Sequence, residues 1–288
     1  MNMTPTTPLP EAATAIGWRR RPSFAQRHSV WLSRVCAFLI GLALWEFLGR
    51  KQPLFVAEPW EVAKELALWV RDGTLAKNAV ATVEAVVLGF ILGTVIGVAI
   101  GWLLASVRLL DVATRPFVDV INAIPRVGLA PLFVLWFGLG LESKVMLVFS
   151  VIVFVVLINA YSAIKSVSPE HVLLVRSLGA TKADIFRKVV WPSSMPWIIA
   201  SLRLGGAYAV SAAVVGEFVA ASRGLGFLLA YRSATFDTSG TYAALVALSI
   251  LAAIITVSVM AIEKRALKWR VAEGEGEGAD RGAVGGLF

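Results

Sequence analysis

Five polar side chains lie within long apolar stretches of the sequence, and they are the candidates for chemistry. They are Asn122, Arg126, Tyr208, Ser211 and Glu217. A guanidinium in apolar surroundings suits an anion such as a sulfonate, nitrate or carboxylate, because its planar donors match a pair of acceptor oxygens. Alternatively, Arg126 pairs with Asp119 or extends its charge toward solvent. For Tyr208 and Ser211 the alternative is hydrogen bonding between helices, and for Glu217 it is pairing across a dimer.

The sequence offers no pattern typical of a catalytic or metal site. His28 and His171 are scattered and lie outside the apolar stretches, and no Ser/His/Asp set or pair of carboxylates stands out. A single cysteine, Cys36, excludes a disulfide or a thiolate cluster within the chain. The sequence has no Gly-Lys dipeptide, which excludes a phosphate-binding P-loop. We therefore predict no catalytic residue, no metal ligand and no cofactor bound by this chain.

Composition indicates a protein that is solvated by lipid over most of its length. Of the 288 residues, 58% are hydrophobic and 16% are charged, whereas soluble domains have about 25% charged residues. The net charge of +8 could indicate a nucleic-acid partner, but the basic residues lie mostly between apolar segments. That distribution suits orientation in a membrane, so we predict a lipid partner and no nucleic acid.

The apolar segments predict six transmembrane helices, each about long enough to cross a bilayer. We place them at residues 31–48, 80–104, 113–138, 145–163, 197–221 and 242–262. The transmembrane domain then covers residues 31–263, between an N-terminal tail at 1–30 and a C-terminal tail at 264–288. A short amphipathic helix that begins at Pro59 and ends at Gly73 is predicted to lie on the membrane surface.

The distribution of lysine and arginine predicts the orientation of these helices. The side that carries both termini and residues 164–196 has 17 of them, and the opposite side has 8. Since cytoplasmic segments are enriched in these residues, we predict that both termini and residues 164–196 are cytoplasmic.

The third predicted span is interrupted by residues that disfavour a straight helix. Pro125 and Pro131 each remove a backbone donor, and Asn122, Arg126 and Gly128 lie beside them. Irregular backbone at membrane depth is tolerated only where it is buried in protein or lines a water-filled cavity. We therefore predict that this break and the five polar residues named above line a pathway.

Small residues recur every four positions in the second and fifth spans and so share one face of each helix. They are Gly89, Gly93, Gly97 and Gly101 in the second span, and Ser201, Gly205, Ala209 and Ala213 in the fifth. Such stripes let helix backbones approach closely in lipid, so they predict a tightly packed bundle.

Residues 164–196 form the one cytoplasmic connection long enough to be a structured docking element. Pro169 is expected to begin a short helix that Gly179 ends, and residues 180–190 are expected to form a second helix. Apolar residues alternate with charged ones along both. Because a partner-binding surface combines an apolar anchor with a charged rim, this segment is predicted to bind another protein.

The string VLLVRSLGATKADIFRKVVWPSSMP, residues 172–196, resembles the cytoplasmic motif of binding-protein-dependent ABC importer permeases. That motif is a Glu-Ala-Ala triplet, three residues, a glycine, nine residues, then Ile-x-Leu-Pro. The glycine matches Gly179, and the last four positions match Val189 to Pro192. Leucine, leucine and valine replace the acidic triplet here. The resemblance implies contacts with an ATPase by Leu173, Leu174, Val175, Gly179, Ala180, Val189, Trp191 and Pro192.

Two further strings, NAIPRVGLAPLFVLWFGLGLESK and VVGEFVAASRGLGFL, resemble the nitrate, taurine and aliphatic-sulfonate branch of that family. The resemblance implies an all-α fold of six transmembrane helices like that of type I ABC importer permeases, in a bacterial inner membrane. It implies a homodimer with two ATP-binding subunits and an external solute-binding protein, with ATP and magnesium held by the ATPase. The implied function is a permease subunit for a small anionic solute, not an enzyme.

Two alternatives compete with this interpretation. A stand-alone secondary transporter or channel would explain the hydropathy and the interrupted span, but not the amphipathic segment at residues 164–196. A membrane-embedded enzyme would need a catalytic cluster that the sequence does not contain.

Overall fold

The computed structural model describes residues 24–267, apart from the side chains of residues 24–31, 119 and 220. Most of the predicted N-terminal tail, and the C-terminal tail beyond residue 267, lie outside these residues. All regular structure in the described part is helical, in eleven α-helices. They are α1 (Phe24–Lys51), α2 (Pro59–Arg71), α3 (Thr74–Ser106), α4 (Arg108–Ala123), α5 (Ala130–Phe137), α6 (Leu141–Lys165), α7 (Pro169–Ser177), α8 (Lys182–Ile185), α9 (Trp191–Ala220), α10 (Leu225–Ala234) and α11 (Thr238–Ala266).

Five helices of the described chain are long and apolar enough to cross a membrane: α1, α3, α6, the continuous helix from α8 to α9, and α11. A sixth crossing is available if α4 and α5, which meet at an angle of 81°, are counted as one broken span. Six crossings, counted in this way, agree with the six predicted transmembrane helices and with the predicted interruption of the third one. The main difference is length, because α3 and α11 extend several residues beyond the predicted apolar cores at both ends.

The main core lies where α3, α6 and α9 pack together, and the glycine stripe of α3 is its closest contact. A methyl group added at Gly93 would lie 2.8 Å from Ile152 Cβ, and one added at Gly97 would lie 2.7 Å from the carbonyl oxygen of Val153. These distances are shorter than real side chains tolerate, so only glycine permits this approach to α6. The predicted packing role of the stripe is confirmed.

A second core forms where α2 and α10 pack against α11. Val62 and Trp69 of α2 are buried there, so one face of α2 packs against protein, while Trp60, Leu68 and Val70 are exposed. The place of α2 on the membrane surface stays a prediction. The helix α1 lies beside this core, where Trp45 Nε1 donates a 2.9 Å hydrogen bond to the carbonyl oxygen of Ala57. The apolar side chains of α1 are otherwise largely exposed, as expected for a surface that faces lipid.

The short helix α10 was not predicted. The sequence pattern places residues 222–241 in an external connection between the fifth and sixth predicted spans. In the structure, Leu225 and Leu228 are buried in the second core. Gly224, with a φ of 132°, precedes the helix and allows the sharp turn from α9.

Candidate transport pathway and coupling segment

The break between α4 and α5 follows from the two residues that end α4. Ile124 and Pro125 are both extended, with ψ values of 128° and 97°, because a residue before proline is driven out of the helical region. A 3₁₀ turn at Arg126–Leu129 then leads into α5. Pro131 was expected to interrupt the span as well, but it does not break a helix. It stands in the first turn of α5, where its missing N–H has no helical partner to lose.

Arg126 lies at this break and reaches the middle of α6. Its guanidinium carbon is 4.2 Å from the centre of the Phe154 ring, a cation–π contact. Arg126 Nη2 donates hydrogen bonds to Asn122 Oδ1 at 3.0 Å and to the Asn122 carbonyl oxygen at 3.4 Å. No carboxylate whose side chain is described forms an ion pair with Arg126. The side chain of Asp119, the alternative partner, lies outside the described part.

Tyr208 and Ser211 lie on the exposed side of α9. The Tyr208 side chain is 53% exposed, and Ser211 Oγ donates to the carbonyl oxygen of Ala207 at 3.2 Å. Within the described residues neither side chain hydrogen-bonds to Asn122 or Arg126. The structure therefore brings two of the predicted pathway residues, Asn122 and Arg126, into direct contact and leaves the other exposed pair on a separate helix.

Glu217 is placed differently, since its side chain is fully buried near the far end of α9. Its carboxylate accepts a hydrogen bond from Thr82 Oγ1 at 2.8 Å and one from the backbone N–H of Gly226 at 2.7 Å. Lys144 Nζ lies 3.8 Å from Glu217 Oε1, the oxygen that accepts the hydrogen bond from Thr82. Glu217 thus bonds to groups of its own protomer, away from the face that carries Tyr208 and Ser211.

We call Asn78, Thr82, Lys144 and Glu217 the buried carboxylate cluster. It attaches the start of α10 to α3, α6 and α9. Asn78 Oδ1 accepts from the N–H of Gly224, and Lys144 Nζ donates to the carbonyl oxygen of Arg223. A side chain at Gly224 or Gly226 would collide with Glu217. The cluster satisfies the free N–H groups at the start of α10 and places a carboxylate at the positive end of that helix.

Sequence analysis missed Asn78, Thr82 and Lys144. A carboxylate in an apolar span needs hydrogen-bond donors, and this requirement is the signal that could have identified these residues. Two polar residues one helical turn apart in α3, and a lysine at the start of the fourth span, were the nearest candidates. Nothing in one sequence brings residues 78, 144 and 217 together, because the contacts join positions far apart in the chain.

The coupling segment, residues 164–196, begins with two capped helices. Ser168 Oγ caps α7, and Thr181 and Asp184 form a reciprocal capping box at α8. Between them Gly179 has a φ of 84°, a conformation that favours glycine. The predicted helix that begins at Pro169, and its end at Gly179, are confirmed.

The second predicted helix of the coupling segment does not end before Trp191 and Pro192. After α8 the chain forms a π-helical turn, Phe186–Val190, in which the Trp191 N–H donates to the carbonyl oxygen of Phe186. The chain then continues without interruption into α9. Pro192 closely follows the π-turn inside this continuous helix, where the wider turn has already displaced the regular α-helical hydrogen bonds that a proline would interrupt.

The residues predicted to contact an ATPase divide into two groups in this structure. Leu173 and Leu174 of α7 are 60% and 61% exposed, and Val175 and Ala180 are half-buried. Val189, Trp191 and Pro192 are half-buried at the base of α9. The second group is held by aromatic contacts, because Phe186 lies between Trp191 at 6.0 Å and Trp102 of α3 at 5.3 Å. Only the first group presents an apolar surface to a partner.

Residues 89–268 match the family described as the binding-protein-dependent transport system inner membrane component. Riboflavin transport system permease protein RibX of Chloroflexus aurantiacus is 37% identical over 75% of this chain and 81% of its own length. Taurine transport system permease protein TauC of Escherichia coli is 27% identical over 83% of this chain and 91% of its own.

The fold also matches solved structures. The inward-facing methionine ABC transporter MetNI aligns with a TM-score of 0.60 and 20% identity, over 68% of this chain and 97% of the matched chain. The family match covers the broken span, the coupling segment and the buried carboxylate cluster from Lys144 onward. The chain therefore belongs to the family of binding-protein-dependent transport system inner membrane components, and it is a permease subunit of an ABC importer whose ATPase is a separate subunit.

Proposed function

We propose that two copies of this chain form the pathway of an importer for a small anionic solute. Two ATPase subunits, which bind ATP and magnesium, dock on the coupling segments, and an external binding protein delivers the solute. The observation that carries the choice of solute is the guanidinium of Arg126. It lies at the break in the third span, held by Asn122 and Phe154, and no described carboxylate neutralises it. A held cation without a counter-ion suits an anion.

The assembled system tests this proposal directly. The permease, its ATPase and its binding protein are reconstituted in vesicles, and ATP-dependent uptake is measured for taurine, an aliphatic sulfonate and riboflavin. We expect uptake of a sulfonate and about a tenfold or greater loss in Arg126→Ala, in line with the 1.5–3 kcal/mol of a charge-assisted hydrogen bond. Unchanged uptake by Arg126→Ala would assign this residue a structural role only.

A second candidate solute is a planar heterocycle. Similarity to the riboflavin permease favours it, as does similarity to formylaminopyrimidine transport permease protein ThiX of Halalkalibacterium halodurans, which is 29% identical over 81% of this chain and 94% of its own. Tyr208 is an exposed ring on α9 on which such a solute could stack. Uptake of riboflavin that Tyr208→Ala lowers and Arg126→Ala does not would favour this candidate.

The exposed leucines of α7 support the docking of an ATPase on the coupling segment. Leu173 and Leu174 are exposed, and so is Leu178, which directly follows α7 and is 79% exposed. An unpartnered apolar surface on a loop with charged neighbours is the composition of a protein interface. We expect Leu173→Asp to abolish copurification of the ATPase while the permease still inserts and dimerises. Normal copurification by this variant would contradict the docking proposal.

The proposed orientation places both termini and the coupling segment in the cytoplasm. It rests on the excess of lysine and arginine on that side. In a Cys36→Ser background, a membrane-impermeant maleimide applied to intact cells should label Ser222→Cys and leave Ser177→Cys unlabelled until the cells are opened. The reverse labelling pattern would invert the orientation.

A further inference from the structure

The helix α4 is held loosely within its protomer. Most of its apolar residues are exposed, including Leu109, Val112, Phe117 and Val120. Between α4 and α6 lies a cavity of about 110 Å³, bordered by Thr114 of α4 and by Leu157 of α6. This space separates the two helices and is partly open to the outside, so apolar contact between α4 and α6 is limited along this stretch.

Specific polar contacts join the two helices instead. Tyr161 Oη donates to Asp111 Oδ1 at 2.7 Å, and Lys165 Nζ donates to Asp111 Oδ2 at 2.8 Å. Arg115, one turn further along α4, lies 5.9 Å from the centre of the Tyr161 ring. Both carboxylate oxygens of Asp111 are therefore bound by α6, and the Asp111 side chain is only 14% exposed.

The positions of these residues connect the coupling segment with the broken span. Asp111 lies in the first turn of α4, the helix that leads to the break at Arg126. Lys165 is the last residue of α6, and the coupling helix α7 begins at Pro169 directly after it. The Asp111 contacts thus connect the start of the broken span to the residue from which the coupling segment extends.

We propose that Asp111 is a positioning residue for transport, which with Tyr161 and Lys165 forms a link that passes movement of the coupling segment to the broken span. The proposal rests on the docking of an ATPase at the coupling segment, given above. When the ATPase pair closes and displaces α7, the end of α6 carries Lys165 and Tyr161 with it. Asp111 follows, because both of its oxygens are bound, and α4 moves relative to the loosely packed face of α6.

The expected effect is on coupling, measured as solute transported per ATP hydrolysed in the reconstituted importer. Asp111→Asn and Lys165→Met should each lower this ratio about tenfold, which lies within the range of roughly 5- to 150-fold for coupling between sites. Protein yield, melting temperature and ATPase copurification should be unchanged in Asp111→Asn, because asparagine keeps the size of the side chain and the Lys165 ammonium that loses its partner is 42% exposed. The charge exchange Asp111→Lys with Lys165→Asp should restore at least part of the ratio.

The ion pair between Arg203 and Glu263 provides the matched control. It also joins two helices, α9 and α11, through a carboxylate and a basic residue, but it does not involve α4. Arg203→Gln should leave the ratio of transport to ATP hydrolysis unchanged. An equal fall of this ratio in Arg203→Gln and Lys165→Met would overturn the proposal, as would an unchanged ratio in Asp111→Asn.

The docking proposal can fail separately from this one. Copurification of the ATPase with Leu173→Asp tests docking alone. The ratio of solute transported to ATP hydrolysed in Asp111→Asn is measured on complexes that already contain the ATPase. A proportional loss of uptake and ATP hydrolysis in Asp111→Asn, with the ratio preserved, would mean that Asp111 only maintains the fold and would refute the link.

Discussion

The hydroxyl of Thr82 donates a 2.8 Å hydrogen bond to the carboxylate of Glu217 and accepts one of 2.9 Å from the N–H of Leu225. One small side chain on α3 therefore bonds both the end of α9 and the start of α10. Glu217 is fully buried, so the hydrogen bonds replace water that the carboxylate would otherwise bind. This end of the bundle is fixed by polar contacts, whereas the middle is fixed by glycine packing.

Replacing Thr82 by valine should destabilise the protein by about 1–3 kcal/mol, because it leaves the Leu225 N–H and one carboxylate oxygen without a buried partner. The measurement is thermal unfolding of the detergent-solubilised permease. Thr82→Ser keeps the hydroxyl and is the control, with a smaller loss expected from the missing methyl group. Equal destabilisation by both variants would assign the effect to packing alone.

A leucine at Gly93 should prevent α3 from packing against α6. Its Cβ would lie 2.8 Å from Ile152 Cβ and 3.1 Å from the backbone nitrogen of Val153, which cannot move away without shifting α6. We expect loss of folded protein, measured by monodisperse yield in size-exclusion chromatography. Gly41 in α1 has no atom within 4 Å of an added Cβ, so Gly41→Leu should fold normally. A normal yield for Gly93→Leu would show that the helices can separate here.

Substitution at Phe154 should affect solute binding through Arg126. The ring holds the guanidinium at 4.2 Å, a contact worth roughly 0.5–2 kcal/mol. Phe154→Leu should therefore raise the KM for the anion by about two- to thirtyfold with little change in kcat. Phe154→Tyr keeps the ring and should behave like the parent. A fall in kcat at constant KM would place Phe154 in a conformational step and not in binding.

The conformation of Gly179 is predicted to control the coupling segment. No atom lies within 4 Å of an added Cβ, so substitution acts only through the positive φ of 84°. Gly179→Ala should cost about 1–2 kcal/mol locally and lower ATPase copurification. Gly179→Asn should cost less, because asparagine tolerates this backbone region.

The control for Gly179 is Gly128, which also has open space around it and has no positive φ. Gly128→Ala should leave copurification of the ATPase unchanged. If Gly179→Ala and Gly179→Asn were equally defective, the backbone explanation would be wrong and the size of the side chain would be the cause.

The sequence pattern predicted the spans, the broken helix, the glycine packing and the cap at Gly179, because each depends on residues that are neighbours in the chain. Apolar length, proline positions and four-residue spacing carry that information. Contacts between residues that are far apart in the sequence could not be predicted. The environment of Glu217 depends on Thr82 and Lys144, and that of Asp111 depends on Tyr161 and Lys165, each at least 50 residues away.

Helix boundaries were also harder to predict where tertiary contacts override local preference. The pair Trp191-Pro192 is a local stop signal, yet the helix continues through it, with Pro192 close behind a π-turn that displaces the regular hydrogen bonds. The amphipathic face of α2 predicts an interface but does not say whether lipid or protein covers it, and here α11 and α10 do.

The π-turn at Phe186–Val190 holds one residue more than an α-helical turn would. The wider turn absorbs that residue, so the segments on either side keep the phase of a regular helix. Deleting one residue from the turn would therefore restore regular winding and leave the direction of the coupling segment unchanged. Deleting a second residue would rotate everything before it by roughly 100° about the α9 axis. The leucines of α7 would then point in a new direction with every local contact of α7 intact. If the ATPase docks on α7 as proposed, this second deletion would disconnect it while every residue of α7 stays the same.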